Sequence, residues 1–327
     1  MTTDLEQLKK TITTTELTTE QLQKLNQLIE SIPQIIKSLD NSDYDEIFGY
    51  RINSGDKEYI EIDKRNEILL KFLIANKYDV TVTKDKLKQT LNWRNQFKPL
   101  HAAFESTFDS ELKKLGVITD FGTNDDSKKN LRVLTWNLYG NIKSPKELFE
   151  KFGAQPDTDE DDSNSQFLKW RIGLMEKSLA LIDFSDPNNH KIGQIHDYKN
   201  VSMFRMDPGM KASTSKIIDI FGNNYPELLS IKFFINVPSI MTWVFLFFKK
   251  LKIISPETLN KFEVLNNGDL TSWINKSQLP KDYSGNSTKS IYDLEVENSN
   301  FKIPKYGEII LKRLGDKEIE DINNDVE

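Results

Sequence analysis

An α/β protein carrying a helical lobe at its N-terminal end is predicted for this chain by three observations. Apolar residues recur at spacings of three and four through the first hundred residues, the period of helices packed on one face. After residue 115 the pattern changes to short β-branched runs bounded by Gly, Asn or Asp, as in strands. These runs then alternate with helical stretches, the order that builds a sheet with crossover helices. The chain of 327 residues, 37% hydrophobic and 29% charged, has the composition of a soluble globular protein of one large or two modest domains.

Each element follows from its own residues. Residues 1–20 are polar and threonine-rich and predict a mobile tail. Leu22, Leu25, Leu28, Ile29, Ile32, Ile35 and Ile36 mark a helix that Pro33 should break or kink. Over 66–98, Ile68 to Leu70 and Phe72 to Ile74 form one apolar face; Leu87, Leu91 and Trp93 lie on a second helix after Val80–Thr83. The lobe is expected to span 21–115. Val117–Phe121 and Leu131–Trp136 read as strands, and the acidic stretch 153–165 as a solvated loop. A helix over 166–183, strands Ile192–His196 and Val201–Arg205, a helix over 211–222 and the strand Ile231–Val237 come next. The very apolar stretch 239–254 predicts a helix, and Phe262–Leu265 a last strand. The α/β domain is placed at 116–312 and a frayed acidic tail at 313–327.

Several function classes are disfavoured. A net charge of -6 argues against a dedicated nucleic-acid binder, although local basic patches remain compatible with a membrane surface. With no cysteine there is no disulfide and no thiolate metal site, in keeping with a reducing compartment. The polar N-terminus predicts no signal peptide. The longest apolar stretch, Phe233 to Phe248, is broken by Asn236 and Pro238 and falls short of the ~20 residues of a bilayer span. No nucleophile-elbow, P-loop or dinucleotide fingerprint is found, so no enzyme chemistry is expected.

Four motifs occur in a meaningful order: LLKFLIANKYDVTVTKDKLKQTLNWRNQF (69–97), HDYKNVSM (196–203), NNYPELLSIKFFINVP (223–238) and LPKDYSGN (279–286). Together they resemble the CRAL-TRIO lipid-transfer family over some 220 residues. Asn200 stands where the family has glycine, and Ser284-Gly285-Asn286 replaces its closing Gly-Gly; Asn tolerates left-handed backbone in turns. TWNLYG, RIGLMEK, HDYK and YPELL are most similar to the fungal non-classical phosphatidylinositol transfer branch, which also binds haem.

The resemblance implies a mixed sheet, an apolar ligand cavity and a gate helix. At about 25 cal/mol per Å² of apolar area, two acyl chains in water are costly, so such a cavity must close in transit. In the gate, Trp243, Phe245, Phe247 and Phe248 would enter a membrane while neighbouring lysines meet anionic lipid; the plain alternative is a buried helix with a basic end. Glu227 and Lys249 fall on family positions tied to phosphoinositide headgroups, or else form a surface ion pair. His196 and Tyr198 lie two apart on a strand and share a face. The subfamily match implies haem b there, with Tyr198 as axial tyrosinate and His196 near the iron; a lone H-x-Y is otherwise structural. Tyr139, Arg171 and Lys232 are expected around the same ligand, the cations pairing with propionates or a lipid phosphate. Asn76 stands near a position that is aromatic in some relatives.

The function expected is phosphatidylinositol binding and transfer by a cytoplasmic protein peripheral to the endoplasmic reticulum or other membranes, with lipid kinases as partners. A haemoprotein handling haem or oxidants and a non-catalytic membrane adaptor are the alternatives.

Overall fold

The computed structural model describes residues 5–53, 58–122, 130–154, 165–201, 207–238 and 260–324, with side chains to 314. A short helix α1 (Leu5–Lys10) opens the described chain, with Leu8 buried. The stretch expected to be a mobile tail is thus packed from residue 5 onward. Both oxygens of Glu67 anchor it: Oε1 accepts from the Thr13 and Thr14 amides at 2.7 and 3.0 Å, and Oε2 from the Thr14 hydroxyl at 2.6 Å. Nothing local in a threonine-rich run announces a carboxylate 54 residues away.

Helix α2 (Thr19–Lys37) starts in a capping box, Thr18 and Gln21 each bonding the other's backbone amide. Pro33 neither breaks nor ends it. A proline inside a helix costs about 3 kcal/mol, and burial of Leu25, Leu28, Ile32, Ile35 and Ile36 along one face outweighs that cost. The hairpin β1 (Glu46–Ile47) and β2 (Tyr50–Arg51) precedes helices α3 (Ile62–Ala75), α4 (Val80–Phe97), α5 (Pro99–Phe104) and α6 (Ser110–Lys113). Asp79 caps α4 by accepting from the Val82 amide at 3.0 Å.

The main sheet comprises β3 (Gly116–Asp120), β4 (Val133–Leu138), β5 (Ile192–Asp197), β6 (Leu229–Ile235) and β7 (Phe262–Val264). They lie side by side in chain order; β3 is antiparallel to β4 and the other pairs are parallel. Helices α7 (Pro145–Phe152) and α8 (Gln166–Leu179) join β4 to β5, and α9 (Pro208–Asn224) joins β5 to β6. Right-handed crossovers between neighbouring strands taken in order put these helices on one face. The expected strand Val201–Arg205 is not seen at Val201, whose amide closes a turn onto Tyr198 O; 202–206 lie outside the described residues. The apolar stretch 239–254 with its expected gate residues Trp243, Phe245, Phe247 and Phe248, and Lys249, also lies outside them.

The opposite face is sealed by the chain after β7. Val117, Trp136, Ile195 and Phe233 pack there against Leu270, Ile274, Leu279 and Tyr283. Asp197 holds this cover by accepting from Tyr283 Oη at 3.0 Å and Asn236 Nδ2 at 2.7 Å. Gly285 is needed in it, because a Cβ would lie 1.7 Å from Leu279 O. The two family departures, Asn200 and Ser284, both take left-handed backbone, each with φ of 66°.

A buried charge network ties the lobe to the sheet layer. The fully buried Arg94 donates to Glu46 of β1 at 2.8 and 3.1 Å and to Glu176 of α8 at 2.7 Å. Tyr44 and Tyr225 hydroxyls donate to Glu46 and Glu176 at 2.6 Å each. Helix α10 (Lys305–Asn324) ends the described chain and packs back onto the hairpin, Tyr306 donating to Asp45. The acidic stretch from 313, expected to fray, is helical through Asn324. Among the described residues no helix is long and apolar enough to cross a membrane.

Candidate ligand-binding site

Alternation along the strands gives the sheet two unlike faces. Leu134, Trp136 and Leu138 of β4 point one way; Thr135 and Asn137 point the other. In β5, Gln194, His196 and then Tyr198 lie on the second face, and in β6 Ser230, Lys232 and Phe234 do. The register aligns these rows: Asn137 is paired with His196, and His196 with Phe234. Beneath the helices, where a packed core would be apolar, the sheet presents amide, imidazole, hydroxyl and ammonium groups.

Five residues expected at the site come together. Tyr139 follows β4 in a single helical turn, and its hydroxyl lies 2.8 Å from His196 Nδ1. The Tyr139 and Tyr198 rings are 5.3 Å apart, and His196 stacks on Phe234 at 5.3 Å. Gly140 makes this approach possible, since a Cβ there would meet Lys199 O at 1.9 Å. Helix α8 contributes Arg171, seated on the Phe221 ring at 5.2 Å. Lys232 lies over Phe234 at 5.4 Å.

The electrostatics are those of a buried positive site. Burial, then Lys232 and Arg171, holds His196 well below its ordinary value, so the imidazole is neutral. A neutral ring bonded to Tyr139 either accepts the phenol proton and carries Nε2–H, or donates from Nδ1 and keeps an Nε2 lone pair. Burial lowers Lys232 to about 8, with Arg171 adding to the effect. Burial also lowers Arg171, opposed by Tyr139. Burial raises both phenols; Arg171 opposes that only at Tyr139. Tyr198 is therefore a protonated phenol at neutral pH.

Four side-chain atoms on or facing this surface are buried without a hydrogen-bond partner among the described residues: His196 Nε2, Arg171 Nη1, Thr135 Oγ1 and Ser230 Oγ. Each such atom costs roughly 1–3 kcal/mol, and their concentration on one face marks a place for a polar ligand group. An apolar cleft opens beside them, between Tyr139, Arg171, Phe149, Trp170, Met210 and Ile217, with a volume of about 40 Å³. That holds a water or two, so a large ligand needs a wider cleft than this one. Of α9, Ser213, Ile220 and Asn224 are buried, and Met210, Ile217 and Phe221 pack part-buried against the core.

Glu227 is not in this cleft. It precedes β6 in a left-handed turn, φ 52°, and its Oε2 accepts from Lys261 Nζ at 3.2 Å with Lys191 Nζ at 4.0 Å. Asn76 caps the end of α3 and donates to Phe72 O at 2.8 Å. The inward polar residues Thr135, Gln194 and Ser230 had not been singled out. Their signal is alternation: VLTWNL, IGQIHD and SIKFFI each set polar residues two apart in strands otherwise fit for a buried parallel sheet. His190, in the bend before β5, was not singled out either. It is buried, with Nδ1 3.2 Å from Lys71 Nζ.

Comparison with known proteins decides the family. The model of the family described as "CRAL/TRIO domain" matches residues 129–285. A phosphatidylinositol transfer protein SFH5 of Candida albicans is 55% identical over 327 residues, 100% of each chain. The chain belongs to the CRAL/TRIO family. A second relative of this CRAL/TRIO protein, the phosphatidylinositol transfer protein SFH5 of Scheffersomyces stipitis, is 56% identical over 328 residues, covering 100% of this chain and 98% of that one. The protein of that name in Saccharomyces cerevisiae is 35% identical over 298 residues, 89% and 95% of the two chains. The solved structure "Crystal structure of Sfh5" superposes with a TM-score of 0.76 at 31% identity, covering 93% of this chain and 100% of that one. The mixed α/β architecture of the CRAL/TRIO fold is thereby established.

Proposed function

We propose that this chain binds phosphatidylinositol and transfers it between membranes, supplying phosphoinositide metabolism as a cytoplasmic protein peripheral to the endoplasmic reticulum or other membranes. The carrying observation is the buried polar face of the sheet, with four unpartnered atoms and two cations beside an apolar cleft. A lipid supplies what that surface lacks: anionic phosphate for Arg171 or Lys232, hydroxyls for the unpaired atoms, and acyl chains for the cleft. The names of the relatives agree with the reading. Lipid kinases drawing on the bound lipid are its proposed partners, and the role is carriage rather than catalysis. The test is transfer of labelled phosphatidylinositol between vesicles. Arg171→Ala should slow it at least tenfold, and wild-type rates in both Arg171→Ala and Lys232→Ala would remove the assignment.

A second reading has its own observation. Neutral His196, protonated Tyr198 and two cations meet at one place, and these donors fit haem b. Tyr198 would hold the iron, with His196 near it, and Arg171 and Lys232 would take the carboxylates. Bound there, haem supplies redox-active iron that a phenolate holds in the ferric state. Because Tyr198 must lose its proton to ligate, loading weakens as pH falls. A red preparation whose Soret band disappears in Tyr198→Phe supports this reading; a colourless wild type that takes up no added haemin sinks it.

A further inference from the structure

The threonine-rich segment ahead of α2 docks on the helical lobe, apart from the cleft. Thr11, Thr13, Thr14, Thr15, Thr18 and Thr19 all fall within residues 11–19. With α1 this segment forms an arm: Leu8 is buried, and Leu5, Ile12 and Leu17 pack part-buried against the core. The polar attachment of residues 13 and 14 converges on one side chain. Glu67 of α3 is fully buried and accepts from the Thr13 and Thr14 amides at 2.7 and 3.0 Å. It also accepts from the Thr13 hydroxyl at 3.3 Å and the Thr14 hydroxyl at 2.6 Å, and among the described residues no cation pairs with it. Thr13 Oγ1 in addition bonds Ser185 O, in the connection from α8 to β5. The arm therefore staples the lobe to the α/β layer.

The apolar side of this attachment is incomplete. A groove of about 460 Å³ runs along the arm, lined by Ile12, Leu17, Leu22 and Lys9 among others. The polar contacts to Glu67 and Ser185 thus carry a large share of the docking. Thr13 is exposed, whereas Thr14 is half-buried. A hydroxyl has a single proton, so esterifying Thr13 Oγ1 removes the donor to Glu67 and to Ser185 together. A phosphate there adds about 1.5 to 2 negative charges. Its bridging oxygen would start 3.3 Å from a buried carboxylate that has no cation to offset it. Like charges so placed repel, and both gain solvation if the arm lifts.

We propose that Thr13 is a phosphorylation site and that its phosphate undocks the arm, residues 5–17, from Glu67 and Ser185. The partner is an ATP-dependent protein kinase. Thr13 Oγ1 attacks the γ-phosphorus of ATP; the new P–O bond forms as the bond to the departing ADP breaks, and the hydroxyl proton passes to a base of the kinase. Lys10 and Glu16, both exposed and three residues to either side of Thr13, are the charged flanks offered to the kinase groove. The switch is independent of which ligand the cleft takes.

The test has two parts, both on the full chain. In the first, the chain is incubated with ATP and a fungal cytosolic extract, and the acceptor is mapped by fragmentation mass spectrometry. Phosphate at Thr13, absent from Thr13→Val, is the expected result; no phosphate within residues 11–19, or phosphate confined to Thr15, Thr18 or Thr19, overturns the site. In the second, phosphothreonine is installed at position 13 by genetic encoding, and hydrogen exchange is followed over residues 5–17. Exchange there should quicken about tenfold or more relative to the unmodified chain, with β4 unchanged. Protection equal to or above that of the unmodified chain, as when the phosphate pairs with Lys9 instead, overturns the switch. Placing Glu67→Gln in both chains removes the repelling charge, so the phosphate should then quicken exchange far less. An undiminished effect would show that lost hydrogen bonds, and not charge, free the arm, and would overturn the electrostatic account. Matching thermal melts verify that the Gln variant folds, and the comparison without it stands by itself.

Discussion

Burial shifts the titration of several residues in this fold, and each shift ties stability to pH. His190 is pulled from 6.5 to about 3 by burial and by Lys71 and Lys191. The unfolded chain takes up that proton near pH 6.5 while the folded chain refuses it, so stability falls as pH drops from about 6.5 toward 3. Lys71 is lowered from 10.5 to about 7 by burial, with Lys191 and Lys261 adding to it and Glu67 and Glu227 opposing. Its contribution therefore increases as pH rises from about 7 to 10.5. In Lys71→Met, urea midpoints measured across that window should lose part of their rise with pH. A slope identical to wild type would show that Lys71 is ordinarily solvated. One residue-scale feature was legible in the sequence, and two depended on contacts that only the fold shows. HDYK announced its shared face because strand period fixes side-chain direction locally. Glu227 was given a headgroup role by resemblance; its carboxylate lies against Lys261 and Lys191, outside the cleft. The partner of Lys71 was invisible, since it lies 119 residues away in the chain.

Elements owe their stability to faces more than to propensity. Helix α2 shows this, because its apolar stripe carries it straight through Pro33. Pro33→Ala should raise stability by about 2 kcal/mol, from the restored helix propensity less the entropy returned to the unfolded chain. A lower melting temperature would mean that the ring itself packs. The Arg94 network works the opposite way. Arg94→Met strands two buried carboxylates and should cost about 3–5 kcal/mol in chemical denaturation. A loss below about 1 kcal/mol would show that Glu46 and Glu176 simply take up protons. Helix and strand positions were readable because period and capping are local. The packing of the threonine-rich segment and the run of α10 to Asn324 were not, since composition carries no record of a distant partner.

At the scale of the molecule, lobe and sheet share a packed, charge-paired interface. Helix α5 packs on α8, and Arg94 of the lobe neutralises Glu176 of the sheet layer. A fragment spanning 116–312 keeps Glu176 and the α8 surface but loses both partners. Expressed alone, it should show a broad, non-cooperative melt by circular dichroism, against a sharp one for the whole chain. A cooperative fragment would mean that the interface is dispensable. The family order of motifs was visible in sequence because each is a short string. The joining of lobe to sheet was not, because Glu46, Arg94 and Glu176 are single letters scattered over 130 residues.

Strand alternation divides labour letter by letter. Within IGQIHDY, Ile195 and Asp197 fasten the C-terminal cover, whereas Gln194, His196 and Tyr198 lie on the opposite, polar face of the sheet. Every second position is thus free to drift toward a new cargo while its neighbours stay committed to holding the protein together. Diversification among such proteins should run along odd or even rungs of these ladders. An insertion of one residue, by contrast, would exchange the two duties and lose both.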